Sequence, residues 1–148
     1  MDAMDVDALR ERFVGKEFDT AEFVVRQEDA LAFAEACGET DPRYSDPAHP
    51  DYQAPPTFTA RFVSRRTMPE DFPRDGFRRS FDGGKCVTAH APVRVGRPLV
   101  GTSQIAEVYR KTGRSGGMTF IVHRMEFRDE AGELVSTVDW RLVQREPA

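Results

Sequence analysis

The chain has 148 residues, a length typical of one domain with a single hydrophobic core. Apolar residues make up 39% and charged residues 31%, as in a globular protein without membrane-spanning segments. The net charge of -4 argues against a nucleic-acid binder, because neutralising phosphates needs a basic surplus. No apolar signal segment is visible near the N-terminus, and Cys37 and Cys86 lie in no metal-binding pattern. We therefore expect a cytoplasmic protein that binds no nucleic acid, membrane, metal or cofactor.

The first part of the chain predicts a lead-in, an extended segment and one helix. Residues 1–12 are polar and predict a flexible lead-in or a short helix, so the domain is expected over 13–148. Residues 14–25 are expected to be extended, with one turn. Residues 27–37 have the spacing of an amphipathic helix, with acidic residues in the first turn and Gly38 as the stop signal.

Proline repeatedly interrupts the next segment, residues 38–56. The pairs are Asp41-Pro42, Asp46-Pro47, His49-Pro50 and Pro55-Pro56. Because proline fixes φ and removes a donor, we expect a long loop without regular structure, and such loops often carry function. A second helix is expected to begin at Pro56 and continue through about Arg66, with Phe58 and Phe62 on its apolar side.

The remainder of the chain predicts a loop and then a run of antiparallel strands. Residues 67–84 are polar and rich in proline, arginine and glycine, which indicates a loop. Residues 129–132 form a turn pattern between the last two strands. The predicted strands are Lys85 to Val93, Leu99 to Lys111, Met118 to Arg128 and Leu134 to Gln144. Helices followed by antiparallel strands indicate an α+β domain.

Three stretches of the chain carry a family resemblance. Residues 33–58, 82–97 and 108–146 together resemble the MaoC-like dehydratases, in particular the amino-terminal FAS1-like dehydratase type. The resemblance implies a single hot-dog fold, a long central helix wrapped by a curved antiparallel sheet. It also implies a homodimer, or a heterodimer with another hot-dog subunit, that holds an acyl-CoA or acyl-carrier-protein thioester at the interface. The implied reaction is reversible hydration of a 2-enoyl thioester to a 3-hydroxyacyl thioester.

The loop that carries catalysis in this family differs here at its key positions. Catalytic members supply an Asp and a His from a Gly-Asp-x-Asn-Pro-x-His-x-Asp loop. The matching positions are Gly38, Pro42 and Asp46. Glu39 stands in place of the Asp, Asp41 in place of the Asn, and Tyr44 in place of the His. A tyrosine hydroxyl ordinarily has a pKa of about 10, which makes it a poor base at neutral pH.

The family's oxyanion donor is also altered. Catalytic members use a backbone N–H of an Ala-His-Gly turn at the start of the central helix, where this chain has Ala54-Pro55-Pro56. Proline has no N–H, so the donor is lost at Pro56, although the N–H of Thr57 is a partial substitute. By resemblance, the substrate-binding candidates are Asp46, Ala54, Pro55, Pro56, Thr57, Phe58, Gly83 and Gly84.

Other chemical groups carry weaker signals. His49 is either a relocated base or, more in keeping with its proline neighbours, a surface loop residue. His90 and His123 lie on predicted strands, where a histidine is more often packed or solvated than catalytic. Cys86 has no catalytic partner at recognisable spacing. The arginines predicted to dock CoA phosphates or a carrier protein are Arg65, Arg66, Arg78 and Arg79, and the alternative is a solvated charged face.

Four functional hypotheses remain open from the sequence. The first is a pocket-forming subunit of a heteromeric enoyl-thioester hydratase/dehydratase, without the main acid and base. The second is a self-sufficient homodimeric lyase that uses Glu39 or Asp41 with Tyr44 or His49. The third is a non-catalytic acyl-thioester binding domain. The fourth is a hot-dog thioesterase, because that reaction also needs a positioned carboxylate.

Overall fold

The computed structural model describes residues 5–73, 80–114 and 116–145. Along the chain the elements are α1 (Val6–Phe13), β1 (Glu17–Val24), α2 (Gln27–Ala36), α3 (Pro42–Ser45), a 3-10 helix (Pro56–Arg61), β2 (Ser80–Ala89), β3 (Pro98–Gly113), β4 (Gly116–Arg128) and β5 (Leu134–Arg145). The predicted strands are confirmed, with different bounds for the first of them. Strand β2 spans Ser80–Ala89 rather than Lys85 to Val93, so the predicted loop does not extend to residue 84. Residues 74–79 of that predicted loop lie outside the described residues.

The strands form one five-stranded antiparallel sheet in the order β1-β3-β4-β5-β2. The helices and the 3-10 helix accompany this sheet, so the predicted α+β hot-dog fold is confirmed. The turn after β4 also has the predicted form. Asp129 accepts hydrogen bonds from the N–H groups of Ala131 and Glu133, and Gly132 has a φ of 82°. A glycine suits this position because other residues rarely adopt positive φ.

The expected long helix from Pro56 to about Arg66 is wrong in type and length. The segment is a 3-10 helix that ends at Arg61, and Phe62 is already extended with a φ of -69° and a ψ of 137°. Two contacts with the sheet explain the early end. Buried Thr59 shares a 2.8 Å hydrogen bond with Ser136, and the Phe62 ring packs on the Phe127 ring at 5.5 Å. The tertiary contacts therefore override the helical spacing of the apolar residues.

Two short helices bear on further expectations. Of the two alternatives for residues 1–12, a flexible lead-in or a short helix, the structure has a helix, α1, whose Asp5 cap accepts from the Asp7 and Ala8 N–H groups. Leu9 in α1 is buried, so this helix packs in the core. The loop over 38–56 contains one helical turn, α3, because Asp41 caps it and Pro42 occupies the first helical position. The domain boundary at residue 13 stays a prediction.

The core consists of two hydrophobic clusters on one face of the sheet. The first lies beneath the 3-10 helix and includes Val25, Phe58, Leu99, Met125, Phe127 and Val138. The second includes Leu9, Phe13, Phe72, Ile105, Ile121 and Leu142. Gly101 permits the first cluster to pack closely, because a Cβ there would lie 2.7 Å from the Phe23 ring and 2.9 Å from the Phe127 ring. His123 lies where the clusters meet, paired with Ile105 on β3 and with Trp140 on β5.

The helices carry no sign of membrane insertion. Within the described ranges, no helix combines the length and the apolar character that crossing a bilayer requires. The cytoplasmic location stays a prediction from the sequence.

Candidate functional site

The loop between α2 and the 3-10 helix holds the predicted catalytic residues. Gly38, with a φ of 68°, ends α2, and the Glu39 N–H donates to the Ala34 carbonyl at 2.9 Å. At its other end the loop is fastened to the segment between β2 and β3 by a 2.9 Å hydrogen bond from the Ala54 N–H to the Val93 carbonyl. The loop is therefore held at both ends and has a defined conformation over its length.

Asp41 is engaged by its own helix and its neighbour. Its carboxylate accepts the Arg43 backbone N–H at 2.9 Å and forms a 2.6 Å ion pair with the Arg43 guanidinium. The Arg43 side-chain hydrogen bond, followed by the backbone one, lowers the pKa of Asp41. A carboxyl group that stays ionised cannot protonate a leaving hydroxyl. As a base it would need a free lone pair, but both of its oxygens already accept hydrogen bonds from Arg43.

Glu39 is turned onto its own backbone. One carboxylate oxygen accepts hydrogen bonds from the Thr40 N–H at 2.9 Å and the Asp41 N–H at 3.0 Å. Asp46 does the same, accepting the Ala48 N–H at 2.8 Å, and is exposed. These are the local turn contacts that acidic residues make in loops. The loop carboxylates therefore hold the loop together.

His49 also has a local structural contact. Its Nδ1 accepts a hydrogen bond from the Asp51 N–H at 3.1 Å. In the neutral imidazole that makes this contact the proton sits on Nε2, so no lone pair is left to act as a base. Tyr44 is half-buried, with the Arg43 guanidinium 5.4 Å from its ring centroid. The structure thus brings the four catalytic candidates into one loop without forming an acid–base pair among them.

Sequence reasoning missed the contacts that fasten this loop to the segment between β2 and β3. Asp51 forms a 2.8 Å ion pair with Arg94 and accepts from the Gln53 amide at 3.1 Å. The Tyr52 hydroxyl is buried, has no partner among the described residues, and has its pKa raised by that burial. Asp41 and Arg43 are two residues apart, so their ion pair could be expected from the sequence. Nothing in the sequence linked Asp51 to a residue as distant as Arg94.

The predicted substrate-binding turn lies at the start of the 3-10 helix. Ala54 and Pro55 are buried, and Pro56 is the first residue of the helix. Thr57 is exposed, and its N–H has no acceptor among the described residues. Phe58 is 3% exposed and packs on neighbouring aromatic rings, so it belongs to the core. Thr57 therefore offers the free donor that Pro56 cannot supply.

Gly83 and Gly84 have structural explanations. They form a bulge in β2 between Asp82 and Lys85, and a Cβ at Gly83 would lie 2.9 Å from the Arg141 carbonyl oxygen. Gly84 has a φ of 88° and donates its N–H to Asp82 at 2.8 Å. Their role in substrate binding stays a prediction.

The structure places two of the four predicted docking arginines, Arg65 and Arg66, in contact with other parts of the chain. Arg65 pairs with Asp19 at 3.3 Å and donates to the Thr20 carbonyl at 2.7 Å, beside the first half of β1. Arg66 pairs with the carboxylate of Glu70 at 3.2 Å. An open groove of about 680 Å³ lies beside them. Arg78 and Arg79 lie outside the described residues. Docking of CoA phosphates or a carrier protein at these arginines stays a prediction.

No candidate metal centre is present in the ranges that the structure describes. No group of three or more histidine, cysteine or acidic side chains has a metal-binding arrangement there. The expectation that the protein uses no metal or cofactor stays a prediction.

Comparison with known sequences gives a family match. The model of the family described as "FAS1-like, dehydratase domain region" matches residues 12–138. A UPF0336 protein of Streptomyces coelicolor is 35% identical over 149 residues, covering 93% of this chain and 96% of the relative. A UPF0336 protein of Streptomyces griseus is 33% identical over the same shares of the two chains.

Comparison with solved structures agrees with the hot-dog architecture. The ChsH1–ChsH2 complex from Mycobacterium tuberculosis matches with a TM-score of 0.68 and 20% identity, covering 97% of this chain and 90% of the other. The HadBC (3R-hydroxyacyl-ACP dehydratase) complex from the same organism matches with a TM-score of 0.64 and 23% identity, covering 88% and 96%. Both similarities concern the fold.

Proposed function

Because this chain belongs to the FAS1-like dehydratase family, we propose that it is the pocket-forming subunit of a heteromeric acyl-thioester hydratase/dehydratase. The reaction is the reversible conversion of a 2-enoyl thioester into a 3-hydroxyacyl thioester. The bound molecule is an acyl-CoA or an acyl-carrier-protein thioester. In this proposal the chain shapes the pocket, and a second hot-dog subunit supplies the acid and the base.

The observation that carries the proposal is the state of the loop carboxylates. Glu39 and Asp41 have the positions expected of catalytic groups, yet their oxygens accept N–H donors of the loop itself. Asp41 is in addition paired with a guanidinium. Breaking these contacts during each turnover would remove the hydrogen bonds that give the loop its shape. The groups are therefore better suited to fixing a pocket wall than to moving protons.

Dehydration needs three chemical groups, and this chain supplies only part of the set. A base must take the proton from C2, an acid must protonate the leaving hydroxyl, and a donor must stabilise the thioester oxygen. Tyr44 offers a hydroxyl donor, and the free Thr57 N–H offers a second donor. His49 offers no lone pair in its observed contact. A partner that supplies an Asp and a His completes the set.

An edge strand offers a place for such a partner. Strand β2 lies at the edge of the sheet, pairs with β5 on one side and is exposed at nearly every position. Unpaired N–H and C=O groups of an edge strand readily add a strand from another chain. Two of the similar structures, HadBC and ChsH1–ChsH2, are complexes of different chains, which supports a heteromeric assembly. A homodimer through the same edge is the alternative.

The first test is hydration of crotonyl-CoA and of a longer 2-enoyl-CoA by the purified chain, followed at the enoyl absorbance. We expect no turnover by the chain alone, together with measurable binding of the thioester by calorimetry. Turnover is expected when a hot-dog subunit with an intact Asp and His loop from the same genome is added. Replacing that subunit's His should then abolish the activity.

Three other outcomes would replace the proposal. Turnover by the chain alone that is lost in Glu39→Gln or Asp41→Asn would favour the self-sufficient lyase. Thioester binding without turnover in any combination would favour the non-catalytic binding domain. Thioester hydrolysis, detected as free thiol, would favour the thioesterase.

A further inference from the structure

A small cavity lies between the segment that follows the 3-10 helix and the concave face of the sheet. Phe62, Val63 and Ser64 form one wall. Lys85, His123, Met125, Val138 and Trp140 form the other wall on strands β2, β4 and β5. We call this space the His123 cavity. Val63 is 61% exposed, so the cavity lies directly beneath the protein surface.

His123 is the chemically unusual group in this cavity. It is 2% exposed, and neither ring nitrogen has a hydrogen-bond partner among the described residues. Burial lowers the pKa of His123 to about 4, so the imidazole is neutral at physiological pH. A neutral imidazole presents one donor and one acceptor. Leaving such groups unpaired costs about 1–3 kcal/mol each, so an unpaired buried histidine calls for a physical explanation.

The other polar groups of the cavity are already satisfied. The Ser64 hydroxyl donates to the Arg66 carbonyl at 2.6 Å. The Lys85 ammonium donates to the Ala60 carbonyl at 2.7 Å and lies 4.9 Å from the Trp140 ring centroid. The remaining lining is apolar. Among the described residues that line the cavity, His123 is therefore the polar side chain without a hydrogen-bond partner, and a polar group set among apolar ones is how ligand sites select one orientation.

The size of the cavity limits what His123 can bind. The space that a water-sized sphere can occupy is about 10 Å³, which fits about one water molecule. A single oxygen substituent fits this volume, whereas a chain of several methylenes does not.

The cavity adjoins the aromatic cluster beneath the 3-10 helix, because the Phe62 ring that lines it lies 5.7 Å from the Phe58 ring. A 3-10 helix rises about 2.0 Å per residue, so Pro56 and Arg61 lie about 10 Å apart along the helix axis. In the proposed function, an acyl chain that enters beside Pro56 therefore reaches the neighbourhood of His123 only several carbons beyond its thioester.

We propose that the His123 cavity recognises an oxygen-bearing acyl chain, with a hydroxyl or carbonyl oxygen set several carbons from the thioester. This inference rests on the proposed function, because it names the substrate class of the same pocket. His123 is a binding residue in it, and it takes no part in proton transfer at the thioester. The aliphatic part of the chain stays outside the cavity, and its oxygen enters and pairs with the imidazole.

The test is a calorimetric comparison of matched CoA thioesters binding to the full chain. Saturated acyl-CoAs from butanoyl to dodecanoyl are compared with their terminally hydroxylated and terminal-aldehyde counterparts. At one chain length we expect the oxygenated ligand to bind at least about tenfold more tightly, as one additional hydrogen bond predicts. In His123→Leu the oxygenated and the saturated ligand should bind with equal affinity, while binding of the saturated ligand is retained. His123→Gln, which keeps a donor and an acceptor, should retain part of the ratio.

A matched control uses the exposed His90 at the end of β2. His90→Leu makes the same chemical change away from the cavity and should leave the ratio unchanged. Equal affinities at every chain length, or a preference that persists in His123→Leu, would overturn the inference while the proposed function stands. If neither saturated nor oxygenated thioesters bind, the proposed function itself fails. Binding of the saturated ligand also verifies that each variant is folded.

Discussion

The loop over residues 38–56 and the His123 cavity differ in how their polar groups are paired. In the loop, Glu39, Asp41 and His49 all accept hydrogen bonds from nearby N–H groups. In the cavity, His123 is more deeply buried and has no partner among the described residues. Satisfied polar groups stabilise a conformation, whereas an unsatisfied buried group is destabilising until something binds it. The buried polar group that lacks a partner, His123, thus lies outside the loop over residues 38–56, where the sequence predicted the catalytic residues.

The largest expected effect that tests this contrast is the pH dependence of stability. His123 has a folded-state pKa of about 4, below its ordinary value of 6.5. Between these values the unfolded chain binds more protons than the folded chain, so the free energy of unfolding decreases as pH falls from 6.5 towards 4. The shift corresponds to about 3 kcal/mol. Urea denaturation across this pH range measures the free energy of unfolding of the wild type and of His123→Leu. We expect the wild type to lose more of it than the variant as the pH falls. Parallel curves for the two proteins would mean that His123 is solvated.

The second effect concerns a buried polar pair that is satisfied. Thr59 and Ser136 share a 2.8 Å hydrogen bond, and both are fully buried. Thr59→Val should lower the free energy of unfolding by about 2 kcal/mol, because the Ser136 hydroxyl is left unpaired. The double variant Thr59→Val with Ser136→Ala should recover most of this loss. A double variant as unstable as the single one would show that packing, and not the hydrogen bond, is responsible.

The third effect has the opposite sign. At pH 7.5, His123→Leu should raise the free energy of unfolding by about 1 kcal/mol, because it removes unpaired nitrogens from an apolar site. Denaturation without any thioester present measures this directly. Destabilisation by the same amount would indicate that a buried water already pairs with the imidazole.

The smallest effect is expected in the loop. Asn caps a helix about as well as Asp, so Asp41→Asn should preserve α3 while removing the ion pair with Arg43. In the assembled hydratase, kcat/KM should change by less than about threefold. A catalytic acid or base would instead lose a factor of about a hundred or more. Such a loss would mean that this loop, and not the partner subunit, supplies the acid or the base.

The sequence by itself determined the features that depend on local chemistry. Gly38 predicted the end of α2, and proline at position 56 by itself means that this position has no N–H. The two-residue period of β5 places Ser136, Val138, Trp140 and Leu142 on one face, which packs in the core. These features follow from the presence or absence of one atom, or from a period of two residues, and both can be recognised in a sequence.

Only the tertiary structure decided the features that depend on distant contacts. Phe58 and Phe62 have helical spacing, yet the hydrogen bond between Thr59 and Ser136 and the aromatic packing end the helix at Arg61. A strand histidine can face either side of a sheet, so the burial of His123 was not visible in the sequence. Its neighbours, Ile105, Trp140 and Phe18, come from three other strands. The sequence specifies each strand's pattern, but the pairing register determines which side chains surround a buried polar group.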